Sequence, residues 1–594
     1  MTTLDYLIIA IYLVVVIGIG FFFSRKKETT ENYLLGGRNM PYFAIGLSCT
    51  MSLLSSISIV MVPGEIYNHG LTLFVFAPTL IPLVQIPYYL LFTRFYFKLG
   101  SFTPYEYLEY RYDAKVRALI SITAFYSRII YLGMVLYSTS KIFSGAYHWS
   151  PVFTIVLVGL VGVLYTVLGG MKAVVWTDVI QFFVLFGGLA ITVVVLCSGI
   201  NGGAVEAVTA TFREGHGLAQ FSQPDFYGLS PYVRLLFFLL LWNALIEPLT
   251  MACSDQINIQ RLLCTKDWQA GLKSQVVATV SGLISRLSLY FIGMALFTYY
   301  LQNPDPALDK IGGDSIFFHF ISTKLPAPIP GLFMAAMLAA IMSSIDSGMN
   351  SMATVWLKEI HVKFINRTLN DEQEVKISRW ATLLVGFFAI ALGLALELSG
   401  RWLSQSVAEV GTIFYLLGAA TLPAFLFAVL SRRANAALIW GYTFFAFGEG
   451  LSKNLWYVLS RSATQAWEKD PSLPLGWGGP LDGIYVWLPL VTGTALCLPW
   501  LFRRMRLNLP VRAAALFGLL ALGFALGMGM WFYFSNTMIT DVPLARSFAF
   551  FLPVSFLGAF AILWFCPLQP EEKYRGLTLG TLGDPVVAKS LEVK

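Results

Sequence analysis

The chain has 594 residues, of which 57% are hydrophobic, 15% aromatic and only 12% charged, with a formal net charge of +7. A mean hydropathy of +0.69 excludes a soluble multidomain enzyme and describes a chain whose solvent is mostly lipid. The Lys and Arg residues lie in short clusters between apolar runs, as membrane topology requires, so no nucleic-acid partner is expected. The first apolar run, "YLIIAIYLVVVIGIGFFF" at 6–23, has no basic stretch before it and no small-residue cleavage motif after it. It reads as a retained helix rather than a signal peptide. "SRKK" follows at once, which places the N-terminus outside and Arg25, Lys26 and Lys27 in the cytoplasm.

Runs of roughly 20 apolar residues recur about fifteen times, centred near 15, 52, 84, 130, 160, 187, 242, 287, 342, 390, 417, 446, 492, 523 and 556. An odd count sends the C-terminus to the cytoplasm. Alternate loops carry the basic residues Arg25 to Arg38, Arg111 to Arg117, Arg261 to Lys273, Lys358 to Arg379, Arg432 with Arg433, and Arg503 to Arg512, all on one expected side. The six cysteines, Cys49, Cys197, Cys253, Cys264, Cys497 and Cys566, have no paired spacing and read as packing residues. No GxxxxGK[ST], HExxH or GxSxG occurs, so neither a P-loop pump nor a hydrolase is expected, and no organic cofactor. The histidines His69, His148, His216, His319 and His361 fall near loops or helix ends and suggest no metal centre.

Within hydrocarbon a polar group is costly, so its presence points to function unless it serves only to bond its own helix or a neighbour. The run "GLFMAAMLAAIMSSIDSGMNSMATVW" is apolar apart from one stripe. At about 100° per residue, Ser343, Asp346, Ser347, Asn350 and Thr354 fall within an arc of about 100°. A hard cation such as sodium prefers several oxygen ligands, which transporters draw from helical hydroxyls and from carbonyls freed where a helix unwinds. Two interrupted helices are expected: "GLSCTMSLLSSISIVMVPGE", broken at Pro63-Gly64, and "LLLWNALIEPLTMACSDQ", broken at Glu247-Pro248. The number of runs between them is that of an inverted five-helix repeat. Asp178, in "GGMKAVVWTDVIQ", is either a third element of the polar site or a first-turn aspartate at the interface.

At "YLLGGRNMPYFAIGLS" (33–48), "TPYEYLEYRY" (103–112), "GGMKAVVWTDVIQ", "SDQINIQRLL" (254–263), "AAIMSSIDSGMNS" (339–351) and "RRANAALIWG" (432–441) the chain resembles the sodium/solute symporter family. The resemblance implies an all-α integral membrane protein with a LeuT-type five-plus-five inverted-repeat core. The implied divisions are an extra N-terminal helix (1–28), repeats at 40–200 and 230–432, about four further helices (433–566) and a cytoplasmic tail (567–594). It implies secondary active, sodium-coupled symport of a small solute by alternating access in the cell membrane, with sodium as the coupling ion and no enzymatic activity. Sodium would be bound by the carbonyls of Met51, Leu54 and Ala340 and the hydroxyls of Ser343 and Ser344. A second sodium or proton site would use Asp178, Ser343, Asp346 and Ser347, Asp346 being a carboxylate where the family pattern has a hydroxyl. The positions that hold sugar in sugar-transporting members match Ser58, Pro78, Pro248 and Met251, which disfavours a hexose pocket. "MVPGEIYNHGL" resembles the branch that moves iodide, monocarboxylates and vitamins, so the expected solute is a small organic or inorganic anion, with sugar or sialic acid as the alternative. Candidate pocket residues near the breaks are Ser55, Ser58, Gln85, Trp242, Asn243 and Glu247. The competing class is a membrane sensor built on a symporter-like core.

Overall fold

The computed structural model describes residues 2–24, 29–54, 56–147, 149–228, 236–310, 316–398, 421–443, 563–564 and 566–581. Every regular element among them is helical. The chain opens with α1 (Thr3–Ser24) and the short α2 (Thr30–Leu35), whose first turn is capped by the Thr29 hydroxyl. One interrupted helix follows, α3 (Tyr42–Leu53) and α4 (Ser56–His69), then α5 (Leu80–Leu99), which ends at a left-handed Gly100. Next come α6 (Tyr105–Arg111), α7 (Ala114–Tyr147), the 48-residue α8 (Pro151–Ser198) and α9 (Gly203–Arg213). A second interrupted pair, α10 (Phe237–Cys253) and α11 (Gln256–Leu262), meets at a 53° bend. The remaining α-helices are α12 (Trp268–Gln302), α13 (Ile316–Lys324), α14 (Ile329–Val355), continued by a π-helix (Trp356–Ile365), α15 (Asp371–Leu398) and α16 (Thr421–Leu430).

Among the described residues six helices are long and apolar enough to cross a membrane, and the α10–α11 pair makes a seventh when counted as one bent span. Two expected runs, near 160 and 187, lie in α8, which is divided at Gly170 (φ 56, ψ −156). That conformation is open to glycine alone. A Cβ there would also stand 2.7 Å from the Tyr33 ring and 2.8 Å from its carbonyl oxygen. A Gly170→Ala variant is therefore expected to lose about 1–3 kcal/mol or more of stability, read as a lowered thermal midpoint of the purified protein. The runs expected near 446, 492, 523 and 556 lie outside the described residues.

Neither expected proline break occurs where the sequence placed it. Helix α4 runs through Pro63 and α10 through Pro248, and the chain instead leaves helical geometry at Leu54 (φ −80, ψ 94) and at Ser254 (φ −140, ψ −8). Proline removes one backbone donor, a loss that neighbouring helices can make good inside a membrane protein. Asp255 starts α11 afresh by accepting from the Asn258 N–H at 2.9 Å, a cap that favours a new helix.

The chain forms two compact units, one of Met1–Pro104, Arg128–Leu229 and Leu235–Arg401, the other of Tyr105–Ser127, Ser230–Arg234 and Trp402–Lys594. In the first, α8 packs against α1, α3, α14 and α15, and α12 against α3, α4 and α5. The extra helix α1 is tied to the start of α14 by Asp5, whose carboxylate accepts from the Gly331 N–H at 2.9 Å. In the second unit Arg111, counted above among loop charges, is buried. Its guanidinium donates to the Ala428 carbonyl at 3.0 Å, to Ala434 at 3.1 Å and to Ser431, closing the C-terminal end of α16.

Candidate functional site

Helix α3 ends in the sequence "SCTMSLL", where serine and threonine compete with the helix for backbone partners. Ser52 bonds back to the Ser48 carbonyl at 2.8 Å, and Leu54 leaves the helix with its N–H still on Thr50. A helix end leaves its last carbonyls without a donor four residues on, and Met51 lies in that turn. Opposite runs α14, buried on all sides from Phe333 to Val355, with Ala335, Ala336, Ala339 and Ala340 small enough for close approach of its neighbours.

Where α3, α8, α11 and α14 meet, the structure gathers a polar cluster that is buried except at the half-buried Ser52. Asp178 is fully buried, which removes the reading of it as an interfacial first-turn residue. Its Oδ2 accepts from the Ser48 hydroxyl at 2.5 Å and its Oδ1 from the Ser343 hydroxyl at 2.5 Å, so one carboxylate joins α3 to α14. Arg261, from α11, donates to Asp178 Oδ2 at 3.2 Å and to the Ser48 hydroxyl at 2.7 Å, and also to the Ser347 hydroxyl. Both members of this ion pair have no exposed side-chain surface. Ser347 further lies 2.9 Å from the Ser52 hydroxyl and 3.2 Å from Asp346 Oδ1, and its single proton can serve only one of them. Asp346 is held at its other oxygen by the Tyr165 hydroxyl at 2.6 Å. The cluster thus holds one guanidinium and two carboxyl groups.

Of the residues expected in the site, Asp178, Ser343, Asp346 and Ser347 are brought together directly. Ser344 lies on the same stretch of α14 and bonds back to the Ala340 carbonyl at 3.2 Å, while Met51 and Leu54 are buried at the end of α3. Asn350 and Thr354 accept from Gln260 at 3.0 and 2.9 Å, one and two turns further toward the C-terminal end of α14. The pocket candidates are more scattered. Gln85 is buried on α5, Ser58, Trp242 and Glu247 are half-buried, Asn243 is exposed, and Ser55 lies outside the described residues. Sequence reasoning missed Ser48, Ser52 and Tyr165 as site residues and placed Arg261 among the cytoplasmic loop charges. Ser48 and Ser52 are in the serine-rich run already singled out, and Arg261 is in "SDQINIQRLL". No sequence signal distinguished Tyr165 from the other tyrosines of the spans.

The family model described as "Sodium:solute symporter family" matches residues 33–441, more than half of the chain. The chain belongs to the sodium:solute symporter family. Sodium is accordingly its coupling ion and a small solute its cargo. Among curated relatives, the sodium/sialic acid symporter NanT of Aliivibrio fischeri is 28% identical over 73% of this chain and 84% of its own length. The sodium/iodide cotransporter of Homo sapiens is 29% identical over 77% of the chain and 69% of its own. The sodium-coupled monocarboxylate transporter 2 of Homo sapiens is 28% identical over 68% and 66%. A solved structure entitled "Substrate-bound outward-open state of a Na+-coupled sialic acid symporter reveals a novel Na+-site" superposes with a TM-score of 0.69 at 26% identity. It covers 75% of this symporter, and its own chain is covered to 91%. The fold is therefore the LeuT-like one, and the symporter is a multi-pass membrane protein.

Proposed function

We propose that sodium is held by the carbonyls of Met51, Leu54 and Ala340 and by the hydroxyls of Ser343 and Ser344, and that it drives import of a small organic or inorganic anion by alternating access. The observation that carries this reading is the break of α3 at Leu54 against the hydroxyl-bearing stretch of α14, the two joined through Ser48, Asp178 and Ser343. A serine that donates its proton to a carboxylate keeps its lone pairs for a cation, and both Ser343 and Ser344 spend their protons elsewhere. Release of either helix half would dismantle the ligand set, which is what alternation between outward and inward access requires.

Sialic acids, monocarboxylates and iodide, named for the relatives, share a negative charge. In this symporter Arg286 lies half-buried in the middle of α12, within electrostatic reach of Glu247 on α10. Neither makes a hydrogen bond or ion pair among the described residues. An arginine inside a span has donors to offer an anion, so we place the solute near Arg286, with Glu247, Ser55, Ser58, Gln85, Trp242 and Asn243 as further candidates. We also propose a plasma-membrane location, in bacteria the inner membrane, with the N-terminus outside. Removing the buried Arg111 and Arg261 from the loop count leaves Lys115, Arg117, Lys266 and Lys273 to support that orientation.

Uptake into proteoliposomes tests the reading. Radiolabelled sialic acid or a short monocarboxylate is expected to accumulate under an inward sodium gradient and to stop when choline replaces sodium. Sodium-independent uptake would sink the coupling claim, and inhibition by neutral hexoses but not by carboxylates would sink the anion.

A further inference from the structure

We propose that Arg261 is a built-in cation that competes with sodium for Asp178 and Ser347, so that the second ion position is filled by either the guanidinium or an ion and never by both. This rests on the sodium reading of the cluster given above. The three side-chain oxygens that Arg261 contacts, on Ser48, Asp178 and Ser347, include two of the groups expected to hold a second sodium. A sodium ion there would need the lone pairs of Asp178 Oδ2 and Ser347 Oγ that the guanidinium now uses. Two cations within a few ångströms in a buried pocket repel strongly, so the ion enters only as the side chain withdraws. Arginine suits this role because it stays charged and its planar fork spans several oxygens at once.

The device also has a lever. Arg261 is carried by α11, the far arm of the 53° bend, whose near arm α10 carries Glu247. A shift of that bend with solute would withdraw or seat the guanidinium, making second-site occupancy sensitive to solute without direct contact between the two ligands.

Sodium-dependent thermal stabilisation of the purified full-length protein in detergent tests the proposal, using sodium chloride against choline chloride at constant ionic strength. Arg261→Gln removes the competitor and is expected to lower the half-stabilising sodium concentration about tenfold, a gain of about 1.4 kcal/mol. Combining it with Asp178→Asn should abolish that gain. Arg261→Lys, which keeps a charge but loses the fork, should shift the midpoint in the same direction by less, and it carries the test if the glutamine variant does not fold. A sodium midpoint in the variants equal to or higher than wild type overturns the proposal alone. A wild-type protein that shows no response to sodium overturns the sodium reading with it.

Discussion

Asp178→Asn is expected to abolish sodium-driven uptake and to lower stability by about 3–5 kcal/mol, the cost of leaving a buried charge without its partner. The size of the effect follows from what one carboxylate does. Its two oxygens accept hydrogen bonds from Ser48 and Ser343, and Oδ2 also accepts from the Arg261 guanidinium, all without exposed surface. An amide keeps the shape and one acceptor, but its NH2 would be turned against either a serine or the guanidinium, both of which are donors there. Arg261 would then keep the Ser48 and Ser347 hydroxyls and the Ile257 carbonyl but lose the carboxylate that accepts from it. The double variant Asp178→Asn with Arg261→Gln removes both charges, and it should recover a substantial part of the stability while remaining inactive in transport. Thermal unfolding of the four proteins gives the coupling energy directly. Wild-type stability and uptake in Asp178→Asn would show that the cluster is incidental to the machine.

Several parts of this arrangement are legible in the sequence because the membrane makes polar residues conspicuous. Ser343, Asp346 and Ser347 stand out on α14, and Asp178 stands out in an otherwise apolar stretch of α8. Arg261 escapes notice for the opposite reason. It lies near the end of a helix, five residues before Lys266, where basic residues are expected in a loop. Only the bend after Ser254, which turns α11 toward the cluster, takes it from the loop to the centre of the site, and a bend is a three-dimensional property. The helix breaks are misread for a related reason. Pro63 and Pro248 announce interruptions that the surrounding helices absorb, whereas the actual breaks at Leu54 and Ser254 follow from serine, threonine and aspartate drawing the backbone away from the helix. Tyr165 is invisible for a third reason: its hydroxyl meets Asp346 across 181 positions of sequence, a contact that no local pattern encodes.

Replacing Ser343 and Ser344 together by alanine should raise the half-saturating sodium concentration of uptake tenfold or more. Each hydroxyl contact to a charged group is worth about 1.5–3 kcal/mol, and tenfold needs only about 1.4 kcal/mol. The two residues are separable. Ser343→Ala also removes a hydrogen bond to Asp178, so part of its effect passes through the cluster, whereas Ser344→Ala gives up only a bond back to the Ala340 carbonyl and is the cleaner probe of ion ligation. Linkage then fixes what must happen to the solute. Sodium and solute raise each other's affinity by one common factor, so a variant that only weakens sodium binding lowers apparent solute affinity at low sodium and regains the wild-type value when sodium is saturating. Solute affinity that stays low in Ser344→Ala at saturating sodium would instead place this residue in the solute pocket. A half-saturating sodium concentration unchanged in the double variant would remove both serines from the ion site, and the coupling ion would then have to be held by carbonyls and by the Asp178 cluster alone.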